Sequence, residues 1–356
     1  MKKKYEVISL QPLPVRHFSF SEVFNYMIKE DMIKIKFIEF SFFRQIMTIL
    51  RGYEDKLFFP RIITNMFNLI KLLLSKNKTI IIGAAPYSIV IFLLNRLKSR
   101  HRCIFYTSWP FWDGERFPEK IYFPAQRKAW HKFLDGMVSA GVTKSATEGV
   151  AKYGAKGFHI PHSIDTGLFA PPDSKPASDK LKVLYIGKLV KIKGLPLLIS
   201  LIKNNKWENI EFQVAGGGPF ENEIVSMENE RYPVKYLGFT KNQKDLVSIY
   251  QNADMLIVPS YHENFSVVII EAMACRLPVI ATGCAGPKEI IEDGADGIIV
   301  PVNDEGALRN AILKLAASPE LRDRLAKNGR KKAEQIYNLK EAARRWLTVL
   351  ETAHKT

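Results

Sequence analysis

The chain has 356 residues, which at roughly 100–200 residues per domain predicts two cores rather than one. Apolar residues at 47% and charged residues at 25% describe an ordinary globular protein, without fibrous or disordered bias. The three cysteines, Cys103, Cys275 and Cys284, form no CxxC pair and have no histidine at ligand spacing. That argues against a disulfide framework or a zinc site and predicts a reducing cytoplasm. The net charge of +16 is unevenly divided: residues 1–170 carry 26 Lys and Arg against 13 Asp and Glu, and the rest 26 against 23. A basic first half predicts a surface that meets an anion, whether phospholipid headgroups, a lipid-linked phosphate or nucleic acid.

In chain order, MKKKYEVISL is basic but soon polar, lacking the apolar core and cleavage site of a signal peptide, so a cytosolic location is expected. YEVISLQP, KIKFIEF, KTIIIGAA, RCIFYTSW and DGMVSAG are predicted strands, with helices such as RIITNMFNLIKLLLS between them. The run TIIIGAAPYSIVIFLL, 79–94, falls short of the roughly 20 apolar residues of a span and contains Gly83 and Pro86. It reads as strand, turn and helix. The helices at 61–76 and 123–134 are either basic amphipathic helices on a membrane surface or half-buried helices with solvated lysines. The aromatic cluster WPFW, with Trp109 and Trp112, is either a sugar-stacking or lipid-facing platform or core packing. His101 and His131 read as surface or core residues.

The stretch PDSKPASDKLK, 172–182, marks a junction. After it the order is VLYIG strand, LPLLISLIKNN helix, EFQVAG strand, ENEIVSMENE helix, VKYLGF strand, KDLVSIYQNA helix and MLIVPS strand. Strands alternating with helices at this spacing predict right-handed crossovers and a parallel sheet covered on both faces. Ligand sites in such sheets lie beyond the carboxyl ends of the strands. The last segment, NLKEAARRWLTVLETAHK, is a predicted helix. Within SYHENFSVVIIEAMA, Glu263 falls in the loop after a strand and Glu271 about a turn and a half into the following helix. That helix's N-terminal N–H groups would favour an anionic ligand. GKLVKIKG adds Gly187, Lys188, Lys191 and Lys193, and AGGGP adds Gly216 and Gly218.

PSYHENFSVVIIEAMACRLPVIATGCAGPKEII, GKLVKIKG, AGGGP and IPHSIDTGLFAP together resemble, in order, the signature of the retaining, GT-B-fold glycosyltransferases of family 4. The resemblance covers roughly 158–335. It implies an α/β protein of two Rossmann-like domains: 1–165 for the acceptor, 166–335 for the nucleotide sugar, and 336–356 as a helix packing back toward the first. By the same resemblance, Glu271 binds the ribose, Glu263 lies against the donor sugar near the anomeric carbon, and Lys188 and Lys193 meet the departing phosphate. Gly187 and Gly216 lie at the nucleotide, and the backbone of Asn264, Phe265 and Ser266 contacts sugar hydroxyls. Glu289 is either part of this set or a helix cap.

The implied activity is transfer of a sugar, with retention, from a UDP- or GDP-sugar to a glycan or lipid-linked acceptor in cell-surface polysaccharide or glycolipid synthesis. The chain has no Asp-x-Asp, so metal-independent chemistry and no cofactor are expected. Ser108, Trp109 and Trp112 stand where the family often has a histidine, and no glycine follows the first strand. Two other readings share these features. A GT-B epimerase would use the same donor loops, and a nucleic-acid-binding protein would explain the charge, though no zinc finger, RNP or helix-turn-helix pattern accompanies it. We therefore expect no nucleic-acid partner, but a nucleotide sugar, an acceptor and an anionic membrane surface met peripherally.

Overall fold

The computed structural model describes residues 5–11, 18–39, 67–83, 91–108, 124–174, 178–240 and 242–355. The chain forms two compact units, Met1–His162 with Ala342–Thr356, and Ser163–Glu341, so the second interrupts the first in sequence. The division falls ahead of the 172–182 stretch because the chain enters the second core before reaching it. Ile164 N–H donates to Tyr337 O (2.9 Å), and the Phe169 ring lies against Tyr250, with Ile164 and Phe169 both buried.

In the first unit six parallel strands take the order β2-β1-β3-β4-β5-β6. They are β1 Tyr5–Gln11, β2 Ile33–Glu39, β3 Thr79–Gly83, β4 Arg102–Thr107, β5 Val138–Gly141 and β6 Lys156–His159. Strand β6 and helix α1 (Phe18–Lys29) add to the elements expected from sequence. The first is a short edge strand with little apolar content, and the second announces itself only through Val23, Phe24 and Met27 on one face. One face of the sheet packs a helix over 67–74 (α2), α3 (Ile91–Lys98) and α4 (Pro124–Leu134) around Leu10, Ile80, Ile82 and Phe105. Helix α5 (Lys144–Ala151) links β5 to β6, with Thr143 Oγ1 capping it by accepting from Ala146 N–H (3.0 Å).

His101 is a packing residue. Its Nδ1 accepts from Lys78 N–H (3.2 Å) and its Nε2 lies 3.1 Å from Leu72 O, the pattern of a neutral ring, and burial holds its pKa below the ordinary value. Of the two readings of 123–134, the half-buried helix with solvated lysines is the one seen: Trp130 is fully buried, edge-on to Phe105 (5.9 Å) and Phe133 (5.6 Å). An indole gains more from that core than from water, so α4 turns Trp130 inward and Lys128 outward. Trp109, Trp112 and residues 61–66 lie outside the described residues.

The second unit is a parallel sheet in the order β12-β11-β10-β7-β8-β9. Its strands are β7 Leu181–Ile186, β8 Ile210–Ala215, β9 Val234–Gly238, β10 Met255–Val258, β11 Val279–Thr282 and β12 Ile298–Val300. Helices α6 Leu195–Asn204, α7 Glu221–Asn229, α8 Gln243–Asn252, α9 Val267–Ala274, α10 Ala285–Ile290, α11 Glu305–Ala317 and α12 Pro319–Ile336 cover both faces. Because neither face meets water, β10 and β11 are fully buried and read in sequence as unbroken apolar runs. The final helix, α13 (Leu339–Lys355), buries Ala342, Trp346, Val349, Leu350 and Ala353 at helical spacing. Trp346 meets Phe24 (5.0 Å) and Tyr106 (6.0 Å) of the first unit, to which this segment belongs.

The strand order creates one position of special use. From β7 the chain moves outward through β8 and β9, then returns to place β10 on the other side of β7. The loops leaving β7 and β10 therefore turn in opposite directions and leave a crevice beyond their carboxyl ends. Gly194 closes the floor between them. It has φ +80°, and a Cβ there would lie 1.9 Å from Pro259 O. Gly294 has a similar φ (+73°) with nothing within 4 Å of such a Cβ. Gly294→Ala should thus cost only backbone strain of about 1 kcal/mol, and Gly194→Ala at least about 2–3 kcal/mol because the two loops must part. Chemical denaturation of both variants measures this, and equal losses would remove the steric argument.

Candidate active site

The loop after β7 runs from Gly187 through a single 3₁₀ turn, Lys191–Lys193, to Gly194. Leu189 N–H donates to Gly217 O (3.0 Å), and the buried Tyr185 hydroxyl donates to Lys188 O (2.8 Å). Gly216 passes so close beneath this loop that a Cβ would stand 1.8 Å from Gly187 O, at φ +139°. Side chains are thus excluded where Gly187 and Gly216 meet, and the backbone lies open beside them. The expected glycine pair is brought into direct contact.

The loop after β10 leans on the first. Tyr261 N–H donates to Ile192 O (2.9 Å), and Lys193 Nζ forms an ion pair with Glu263 Oε2. Two residues 70 positions apart in sequence thus meet at the switch between β7 and β10. Both remain partly open, with side-chain exposures of 29% for Lys193 and 13% for Glu263. Lys188 and Lys191 extend into solvent on the same loop. The Glu263 backbone is fixed from the other side, because its carbonyl accepts from Gly286 N–H (2.9 Å) and the absent Gly286 side chain lets α10 approach Asn264.

Asn264, Phe265 and Ser266 lead into α9, with Ser266 at its N-cap. The Phe265 ring turns inward toward Tyr337 (6.2 Å), leaving its backbone as the part able to serve a ligand. Asn264 Oδ1 and Ser266 Oγ are buried with no hydrogen-bond partner, a costly condition that a bound polar group or water would relieve. The first turn of α9 also carries N–H groups without intrahelical acceptors.

Glu271 sits farther along α9 and is held separately, its Oε2 accepting from the Tyr250 hydroxyl at 2.6 Å. Tyr250 is fully buried, and burial followed by the Glu271 charge raises its pKa well above the usual phenol value. It is therefore a fixed donor that orients the carboxylate. Tyr250 does not stand out in the sequence, because a tyrosine between Ile249 and Gln251 on a helix reads as core. Tyr185 reads as core for the same reason, and burial followed by the Glu263 charge raises its pKa too.

Beside Gly216, whose N–H donates to Gly238 O (2.8 Å), a cavity of about 640 Å³ is lined by Leu237, Phe239, Thr240, Asn242, Asp245 and Ile249. Phe239 is 66% exposed there, a shelf on which a flat ring could rest. Among the described residues no group of three or more His, Cys, Asp or Glu is arranged to hold a metal ion, and burial pushes the Cys103 and Cys275 thiols up to about 12. Glu289 lies in the short helix α10. Chemically the arrangement offers cations, exposed backbone N–H groups and two carboxylates with different partners, a set suited to a polar anion carrying hydroxyl groups.

Residues 169–332 match the protein family described as Glycosyl transferases group 1. A glycosyltransferase of Methanocaldococcus jannaschii is 34% identical over 149 residues, 41% of each chain. The capsular polysaccharide biosynthesis glycosyltransferase CapM of Staphylococcus aureus is 32% identical over 185 residues, 49% of this chain and 47% of that one. The chain thus spans less than half the length of these relatives. HepE of Anabaena, solved with UDP, superimposes over 98% of this chain and all of its own with a TM-score of 0.71 at 15% identity, a likeness of fold. The two parallel sheets are those of the GT-B fold, and residues 169–332 are a glycosyl transferases group 1 domain.

Proposed function

We propose that this protein is a retaining glycosyltransferase that moves a sugar from a UDP- or GDP-sugar to a glycan or lipid-linked acceptor. The observation that carries the reading is the meeting of Lys193 and Glu263 at the β7/β10 switch, over the bare backbone of Gly187 and Gly216. The names of relatives support it: HepE was solved with UDP and with UDP-glucose, and CapM acts in capsular polysaccharide synthesis. Cell-surface polysaccharide or glycolipid synthesis is accordingly the proposed setting, with the acceptor taken by the first unit and the protein peripheral on an anionic cytoplasmic membrane surface. No helix among the described residues is long and apolar enough to cross a membrane.

In this reading the base lies on the Phe239 shelf, and Glu271, aimed by Tyr250, accepts from the two ribose hydroxyls. The diphosphate draws Lys193 away from Glu263 and is joined by Lys188 and the N–H groups of α9. Negative charge grows on the β-phosphate as the sugar leaves, so these groups stabilise the transition state more than the ground state. Glu263, released from Lys193, faces the sugar near its anomeric carbon, with the backbone of Asn264, Phe265 and Ser266 at its hydroxyls. The departing phosphate takes the acceptor proton on the same face, which retains configuration without an enzyme nucleophile. Fixed cations take the part that a divalent metal plays elsewhere.

Thermal shift with UDP, GDP and their sugars tests the reading, since a ligand that binds only the native state raises stability by RT ln(1 + [L]/Kd). A protein stabilised by none of them would overturn it. Glu271→Ala should weaken nucleotide binding by about 1.5–3 kcal/mol and Tyr250→Phe by about 0.5–1.5 kcal/mol in calorimetry. The double variant should be no weaker than Glu271→Ala alone, because the tyrosine acts through the carboxylate. Lys193→Ala should lower kcat more than it raises KM, and wild-type turnover at saturating donor would remove Lys193 from the site. Activity should survive EDTA; loss on chelation, restored by Mg²⁺ or Mn²⁺, would show a metal requirement.

A further inference from the structure

Helix α2, over 67–74, has two apolar faces. Leu69 (9% exposed) and Leu72 (3%) enter the core of the first unit, whereas Phe67, Ile70 and Leu74 are 69%, 49% and 74% exposed. Spaced at i, i+3 and i+7, the latter form one outward stripe. The helix is fastened so that this stripe stays outside. His101 Nε2 meets Leu72 O (3.1 Å), Arg100 Nε donates to Ser75 O (3.3 Å), and Lys36 Nζ donates to Asn68 Oδ1 (2.8 Å). A stripe of large apolar side chains held in water is the mark of a surface that meets something apolar.

The rim of the stripe selects the occupant. Residues 67–83 hold three Lys and no Asp or Glu. Lys71, Lys76 and Lys78 are exposed on or just after the helix, and Arg102 donates to Asn77 O (3.0 Å) in the same turn. A second copy docking through this face would set lysine against lysine about a two-fold axis. Anionic headgroups over hydrocarbon satisfy both parts at once. The apolar stripe enters the acyl boundary, while the flexible lysine stems keep their ammonium groups at headgroup level.

We propose that α2 is the element by which the protein sits on an anionic phospholipid surface, with Phe67, Ile70 and Leu74 immersed and Lys36, Lys71 and Lys76 among the headgroups. This rests on the membrane reading of the acceptor given above and assigns the contact to α2 rather than to α4, whose Trp130 is interior.

Sedimentation with vesicles of phosphatidylcholine alone or mixed with phosphatidylglycerol, at low and high salt, tests the assignment. The wild-type chain should bind the mixed vesicles at low salt, weaken at high salt and leave neutral vesicles unbound. The triple variant Phe67→Ser, Ile70→Ser, Leu74→Ser should lose at least about tenfold in binding while keeping the wild-type melting temperature and its shift with UDP. If the wild type binds and the triple variant binds equally, α2 is wrong and the membrane reading stands. If the wild type ignores anionic vesicles, both fail and the acceptor is soluble. Should the triple variant misfold, Leu74→Trp replaces it: lipids brominated in their chains should quench this variant more than the parent, and equal quenching overturns the assignment. Loss of a concentration-dependent dimer in the triple variant, without loss of vesicle binding, would name a second copy as the occupant instead.

Discussion

The second unit depends on how closely two loops can lie at the switch between β7 and β10. Gly194 passes under the Pro259 carbonyl, Tyr261 N–H bonds to Ile192 O, and only at that separation does Lys193 reach Glu263. The contact is steric before it is electrostatic. A partly open ion pair contributes little stability by itself, so the glycine and the backbone bond set the spacing and the side chains inherit it. Gly216 under Gly187 O, and Gly286 beside Asn264, repeat the device on either side, leaving a lining of backbone where a ligand of several oxygen atoms can be received.

The two glutamates of α9 and its loop show how one residue type is prepared for two kinds of work. Glu263 is balanced by a cation on a solvent-facing loop, a partner that another anion can draw away. Glu271 is balanced by a neutral phenol fixed in the core, which no solute can displace. The first pairing is exchangeable and the second is permanent. That difference follows from the burial of Tyr250 against the partial exposure of Lys193, and it matches a carboxylate that must be released against one that must be aimed.

Much of the second unit was legible in the sequence because its strands are buried on both faces, so VLYI, FQVA and MLIV stand out between helices of ordinary length. The placement of Glu263 before α9 and Glu271 within it follows from the end of an apolar run at Ser260 and the start of another at Val267. Contacts between distant segments were not legible. Tyr250 reaches Glu271 only after β10 has turned the chain, and the close passes at Gly194 and Gly216 are properties of packed backbone rather than of composition. In the first unit, the sequence of α4 leaves two readings open because a tryptophan among lysines has the same local pattern whether the helix turns it out or in. The short, half-exposed β6 lacks the apolar content by which strands are recognised.

The return of α13 to the first unit bears on how the chain matures during synthesis. Phe24 and Tyr106 are made before the second unit, whereas Trp346, which packs against them, is made after it. The second unit, Ser163–Glu341, is complete in sequence before that happens. The order of emergence is thus reversed in the order of closure: the unit made first holds an unfilled apolar face while the unit made second assembles. During that interval the first unit is the part a chaperone would recognise, and removal of α13 would be felt at Phe24 and Tyr106.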